Sequence, residues 1–154
     1  MDKNIRILIV DDDENITKTM KAILQDEGYL VETAVTGDEA IQKAEKTPYN
    51  IALLDIRLPD MEGIELLKLI NDGVPRTRKI MVTGYPSMQN AIAALNKGAD
   101  AYLIKPVEVD SLLLAVKNQL KLQEEEREFS EQKVADFIES RVNELSSKQI
   151  SPKE

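Results

Sequence analysis

Ile5-Arg6-Ile7-Leu8-Ile9-Val10-Asp11-Asp12-Asp13 is a β-branched apolar run that stops abruptly in three carboxylates. Such a run, apolar at nearly every position rather than at every second one, predicts a strand buried on both faces. Further runs of similar length follow: Leu30 to Val35, Ile51 to Leu54, Lys79 to Val82 and Ala101 to Ile104. Segments of helical period separate them. From Glu14 to Glu27 the apolar residues Ile16, Met20, Ile23 and Leu24 share one helix face, and Gly28 supplies the stop. A second helix fits Gly37 to about Lys46. After a loop holding Pro59 and Gly63, a third is marked by Ile64, Leu66, Leu67 and Ile70. Ala91 to Asn96 forms the heart of a fourth, and a long helix begins near Glu108. Strict alternation of strand and helix predicts a parallel sheet with right-handed crossovers and helices on both faces. Strands one, three and four, the most continuously apolar, belong at its centre. Glu32 and Thr33 mark strand two as an edge.

Alternation does not fix the strand order; the expectation is the flavodoxin-like order 2-1-3-4-5. The 154 residues suit one domain with a short appendage, here residues 1–122 followed by a helical extension over 123–154. Glu124-Glu125-Glu126 begins the extension, Val134, Phe137, Ile138, Val142 and Leu145 recur at helical spacing, and Ser146, Ser147 and Pro152 suggest a frayed end. That apolar stripe would be poorly satisfied in water. The extension reads either as a solvated continuation of the fifth helix, or as an interaction helix for a homodimer or partner contact, or as a linker reaching an effector domain.

Composition removes several function classes. Aromatic residues are 4% with no Trp, and the formal net charge is −8, which disfavours both a base-stacking platform and a phosphate-binding surface. Nucleic acid is therefore not an expected partner. With no Cys there is no disulfide or thiolate metal site, and with no His there is no imidazole base, zinc ligand or phosphoryl carrier. No apolar run approaches the roughly 20 residues of a membrane span, so a cytoplasmic, acidic domain with no membrane partner is expected.

Ligands of open α/β sheets bind outside the carboxyl ends of the strands. Strand one ends in Asp11, Asp12 and Asp13, strand three in Asp55, strand four in Thr83 and strand five in Lys105. Clustered carboxylates resist ionisation unless a cation sits among them, and a hard divalent ion such as Mg²⁺ suits an all-oxygen donor set. Each residue also has an ordinary explanation. Asp13 fits a helix N-cap, Asp55 a loop acid, Thr83 a strand end, and Lys105 a surface lysine before Pro106. Their recurrence at four strand ends favours a shared site.

On these residues the sequence resembles the receiver domains of two-component response regulators, from Ile5 to about Leu120. The resemblance rests on Leu8-Ile-Val-Asp-Asp12, Asp55-Ile-Arg-Leu-Pro59, Asp60-Met-Glu-Gly63, Met81-Val-Thr-Gly84 and Tyr102-Leu-Ile-Lys-Pro106. It implies that Asp12 and Asp55 bind Mg²⁺ through their carboxylates, Asp11 largely through water, and Arg57 through its main-chain carbonyl. Asp55 would take a phosphoryl group from a phosphohistidine of a sensor histidine kinase, or from a small phosphodonor, as an acyl phosphate. Lys105, turned inward by a cis bond to Pro106, and the Thr83 hydroxyl would contact the phosphoryl oxygens, and Gly84 would keep the approach open. Tyr102 would swing into the space that Thr83 leaves. The fourth helix, fifth strand and fifth helix would then present a changed surface to a downstream protein or effector domain. Arg57 and Tyr85 flank the site and would govern water access. Such a protein is a switch rather than an enzyme, catalysing only its own phosphoryl transfer and slow autodephosphorylation.

Three rivals remain at this level. A phosphatase of the haloacid dehalogenase type would use Asp11 and Asp13, with Asp11 as nucleophile, but it would want a further acidic pair after a late strand, where this sequence has Lys105-Pro106, and a cap module for which there is little room. A nucleotide-binding Rossmann domain lacks its Gly-rich loop after strand one. A degenerate receiver would act as a docking module without phosphorylation.

Overall fold

The computed structural model describes residues 4–70 and 76–150. The elements in chain order are β1 (Arg6–Val10), α1 (Glu14–Asp26), β2 (Leu30–Ala34), α2 (Gly37–Lys46), β3 (Ile51–Leu54), α3 (Gly63–Leu66), β4 (Arg78–Thr83), α4 (Met88–Asn96), β5 (Ala101–Ile104) and α5 (Val109–Ile150). The five strands pair in parallel in the order β2-β1-β3-β4-β5. The polar strand β2 lies at an edge, as Glu32 and Thr33 predict.

Because side chains of a strand alternate between faces, the same apolar runs feed two cores. Leu8, Val10, Ala52, Leu54 and Met81 pack under Ala40 of α2, Leu66 of α3 and Ala94 of α4. Ile7, Ile9, Ile51, Leu53, Ile80 and Val82 pack under Met20 and Leu24 of α1 and Leu112 and Val116 of α5. Burial on both faces is why β1 and β3 carry no alternating polar positions. The Asp13 carboxylate accepts from the N–H groups of Asn15 and Ile16 and caps α1, as its position suggests.

Two elements depart from the sequence expectation. The third helix closes after Leu66, although Leu67 and Ile70 keep its apolar period and stay buried. Beyond it the bonds run three residues back, from Leu67 to Ile64, Lys68 to Glu65 and Leu69 to Leu66, a tightened turn. The Leu67 carbonyl is taken by the buried Lys79 ammonium at 2.8 Å. At the other end, α5 runs unbroken through Ser146 and Ser147, where the sequence suggests fraying. Serine costs only about 0.5 kcal/mol against alanine in a helix, too little to end one. Pro152 lies outside the described residues.

The first half of α5 is fastened to the edge of the sheet where the strands begin. Gln123, almost fully buried, donates to the carbonyls of Asn50 (3.0 Å) and Arg76 (2.8 Å) and accepts from the Asn50 side-chain amide (3.0 Å). Asn50 in turn accepts from the Arg6 N–H at 2.9 Å. One glutamine thereby ties α5 to the lead-in of β1, β3 and β4. Gln123→Ala strands buried carbonyls and is expected to cost about 1–3 kcal/mol in urea unfolding; a loss no larger than that of an exposed α5 glutamine would refute the clamp.

Candidate functional site

The strand register assembles the site. Val10 pairs with Leu54 and Leu54 with Met81, so Asp11 and Asp55 leave adjacent strands side by side. Main-chain bonds fix the exits: Asp11 N–H to the Ala34 carbonyl at 3.1 Å, Asp55 N–H to Val10 at 3.0 Å, and Lys105 N–H to Thr83 at 2.8 Å. The peptide bond from Lys105 to Pro106 is cis. Residues from four strand ends thus meet at one rim, as the pattern of the sequence implies.

Carboxylate oxygens of Asp11, Asp12 and Asp55 lie within 4.8 Å of one another. Asp11 and Asp55 are 1% and 6% exposed, whereas Asp12 is open to solvent. The Lys105 ammonium stands 2.6 Å from Asp11 Oδ2 and 3.2 Å from Asp55 Oδ2. One partly buried cation therefore serves two buried anions, and the cluster keeps an excess of negative charge. Burial, and then the neighbouring Asp11, push the Asp55 pKa above its ordinary value against the opposing pull of Lys105. Burial works against the Lys105 ammonium too, but Asp11 and Asp55 outweigh it and its pKa stands raised.

Asp55 Oδ1 is buried and has no hydrogen-bond partner among the described residues. A buried anionic oxygen without a partner is costly unless a ligand takes it up. The donor set is all carboxylate, with no nitrogen or sulfur ligand, and it fits a hard divalent cation. Asp11, Asp12 and Asp55 could hold one, the ion replacing part of the neutralisation that Lys105 supplies.

Thr83 is fully buried at the end of β4, and its Oγ1 accepts from the Tyr85 N–H at 2.9 Å. That bond leaves the hydroxyl proton available. Tyr102 on β5 packs against the core under α4, with its hydroxyl buried. Burial pushes its pKa up, offset in part by the Ser87 main chain. The Arg57 guanidinium lies 4.3 Å from the centre of the exposed Tyr85 ring, joining the loops after β3 and β4 by a cation–π contact.

Two contributors escaped the sequence reading. Gly63 passes so close to the chain at Asp55 that a Cβ there would meet the Asp55 carbonyl oxygen at 1.8 Å. Its N–H donates to Ile56 at 2.6 Å, so any side chain would push away the strand end that carries Asp55. The glycine was visible as part of a motif, but the backbone approach that requires it was not. Asp60 accepts from the N–H groups of Gly37 and Asp38 at 2.8 and 2.9 Å, and these two bonds hold its carboxyl below the usual range. It caps α2 from a distant loop and pins the turn between Asp55 and Gly63. No local signal marks a cap whose helix lies more than 20 residues away.

An apolar groove lies beside the rim, between α1 and the start of α5. Ile16, Met20, Ile23, Pro106 and Leu112 line it, and it reaches Lys105.

Residues 7–117 match the family described as the response regulator receiver domain. A CheY-like response regulator receiver domain protein from Methanospirillum hungatei JF-1 has a similar structure (TM-score 0.76). It is 51% identical, the match covering 80% of this chain and 98% of that one. The transcriptional regulatory protein TrcR of Mycobacterium tuberculosis is 35% identical over 117 residues, 76% of this chain and 46% of that protein. The regulatory protein AtoC of Escherichia coli is 36% identical over 123 residues, 80% of this chain and 27% of that protein. The chain thus spans less than half the length of these two curated relatives.

An acid whose pKa is raised in the fold contributes stability that is complete below its unfolded pKa, about 3.9 for Asp. That stability is lost as pH rises through the folded value. Asp55→Asn removes this titration. In metal-free buffer at neutral pH the variant is expected to melt above the wild type, and the gap should close as the pH falls into the ordinary carboxylate range. A variant that melts lower at neutral pH would mean that the Lys105 pairing outweighs the buried charge.

Proposed function

Since the chain belongs to the response regulator receiver domain family, we propose that Asp55 is its phosphoryl acceptor and that the domain works as a phosphorylation switch. The observation that carries this reading is the buried, unpartnered Asp55 Oδ1 beside Lys105 and the other two carboxylates. Asp55 attacks the phosphorus of a phosphohistidine on a sensor histidine kinase, or of a small phosphodonor. With a phosphohistidine the new O–P bond forms as the P–N bond breaks and the imidazole leaves with the electron pair; with acetyl phosphate a P–O bond breaks instead and acetate leaves. Mg²⁺, held by the Asp12 and Asp55 carboxylates, by Asp11 through water and by the Arg57 carbonyl, would offset charge on the transferring group. Lys105 turns from the carboxylates toward the phosphoryl oxygens. Thr83 donates the proton that its bond from Tyr85 leaves free. The apolar groove along α1, opening beside Lys105, suits docking of the donor protein.

Drawing Thr83 toward the phosphoryl group vacates space beside β5, which Tyr102 fills. The face over α4, β5 and the start of α5 would change with it. Met88, Ile92, Leu95, Ile104 and Val109 are all exposed there, a surface ready for a downstream protein or an attached effector domain. A phosphorylated partner surface of this kind operates by shifting a pre-existing equilibrium. Tyr85 and Arg57, stacked over the approach, restrict the water that slowly hydrolyses the acyl phosphate. Among the described residues no helix is long and apolar enough to cross a membrane, which fits action in the cytoplasm.

The phosphatase reading would make Asp11 the nucleophile, yet Asp11 Oδ2 lies against the Lys105 ammonium and its Oδ1 accepts from the Asp13 N–H at 2.9 Å. The test is the intact mass of the protein after incubation with acetyl phosphate and Mg²⁺. One phosphoryl adduct is expected, lost on chelation and lost in Asp55→Asn. An adduct that survives the substitution would sink the assignment to Asp55, and no adduct in the wild type would leave a docking module.

A further inference from the structure

The chain leaving β3 beyond Asp55 forms a small hairpin. The Leu58 N–H donates to the Met61 carbonyl at 3.1 Å and the Gly63 N–H to the Ile56 carbonyl at 2.6 Å, so Arg57 and Glu62 face each other in an antiparallel bridge. The two bonds lie on either side of the pair. Arg57 therefore occupies a position whose own N–H and carbonyl are not used across the hairpin. In an extended residue both groups point to the same side, here away from Glu62. Burial does most to raise the Asp55 pKa, and the Arg57 N–H, turned toward that carboxyl, draws it back down. The Arg57 carbonyl is thereby directed to the side on which Asp11, Asp12 and Asp55 meet.

The hairpin is anchored at its tip. Asp60 accepts from the Gly37 N–H through one carboxylate oxygen and from the Asp38 N–H through the other, at 2.8 and 2.9 Å. Met61 lies over Gly37 so closely that a Cβ there would collide with the thioether. A cap for α2 is the plain role of Asp60, yet α2 carries a capping box of its own. The Thr36 hydroxyl accepts from the Glu39 N–H at 3.0 Å, and the Glu39 carboxylate accepts from the Val35 N–H at 2.8 Å. Asp38 and Glu39 already place two carboxylates in the first turn, so the helix dipole is served and a third acid adds repulsion. The bonds to Asp60 thus do more for the hairpin than for the helix.

We infer, on the metal reading proposed above, that Asp60 is a positioning residue for the cation site: by anchoring the hairpin tip on α2 it holds the Arg57 carbonyl toward Asp55 and so sets the affinity for Mg²⁺. Asp60 is not one of the carboxylates clustered at the rim and acts through Arg57. The base of the hairpin has other supports, since Asp55 is bonded to Val10 and Gly63 to Ile56. Removing the Asp60 carboxylate frees the tip and the Arg57 peptide while the strand ends that carry Asp11 and Asp55 stay in place.

Isothermal titration of the full chain with Mg²⁺ alone, without phosphodonor, tests this. Asp60→Ala is expected to weaken Mg²⁺ binding about tenfold, the low end for loss of a group that orients a metal ligand. Asp60→Asn, which keeps one carbonyl oxygen for the α2 N–H groups, should fall between Asp60→Ala and the wild type. Thr36→Ala removes a cap from the same helix and should lower thermal melting with Mg²⁺ affinity unchanged. In metal-free protein, hydrogen exchange at the Leu58 amide should quicken in Asp60→Ala and not in Thr36→Ala. Equal Mg²⁺ affinity in Asp60→Ala and wild type, an equal loss in Thr36→Ala, or unaltered Leu58 exchange in Asp60→Ala would overturn the proposal alone. A wild type that binds no Mg²⁺, or Asp55→Asn binding it as well as wild type does, would overturn the metal reading and this proposal with it.

Discussion

The ammonium of Lys105 between Asp11 and Asp55 is the contact on which the rest of the site depends. Two carboxylates this deeply buried would repel each other strongly and hold onto protons without it. A buried ion pair is not in itself a source of stability, since removing the charges from water costs about as much as their attraction returns. Here one cation serves two anions, with a third carboxylate nearby, so the balance is unfavourable as it stands. The site is therefore short of positive charge, which a divalent cation among the three carboxylates would supply.

The fold keeps that costly arrangement in place. Asp11 and Asp55 sit at the ends of strands buried on both faces, where the ladder leaves no freedom to move apart. Gly63 lets the returning loop press against the Asp55 backbone, and Asp60 ties the same loop to α2. Lys105 is aimed from β5 by its bond to the Thr83 carbonyl. At the far edge of the sheet Gln123 fixes α5. The reactive end and the projecting helix are thus held by one rigid sheet, with different groups at each end.

Much of this was legible in the sequence because it depends on short periodicities. The β-branched run ending at Val10 and the alternation of elements led to a parallel sheet, and the acids following the apolar runs led to the rim. The resemblance carried by Asp55 to Pro59 and by Lys105-Pro106 then gave the expectation of a receiver domain, which the family match bears out. What the sequence hid depends on residues that meet only after folding. The Asp60 cap, the Gln123 clamp, and the contact of Arg57 with Tyr85 join segments between 22 and 73 residues apart. Helix α3 tightens into three-back bonds after Leu66, and the buried Lys79 takes the Leu67 carbonyl there, a contact that no local pattern announces. The serines near the end of α5 suggest fraying by residue type, but their helix penalty is too small to outweigh the helix around them.

The most direct test of the account is to find which residue carries the phosphoryl group. After reaction with acetyl phosphate and Mg²⁺, borohydride reduces an aspartyl phosphate to homoserine, and peptide mass spectrometry locates it. Homoserine at position 55 and nowhere else is the predicted result. Homoserine at position 11 or 12 would contradict the assignment of roles around Lys105.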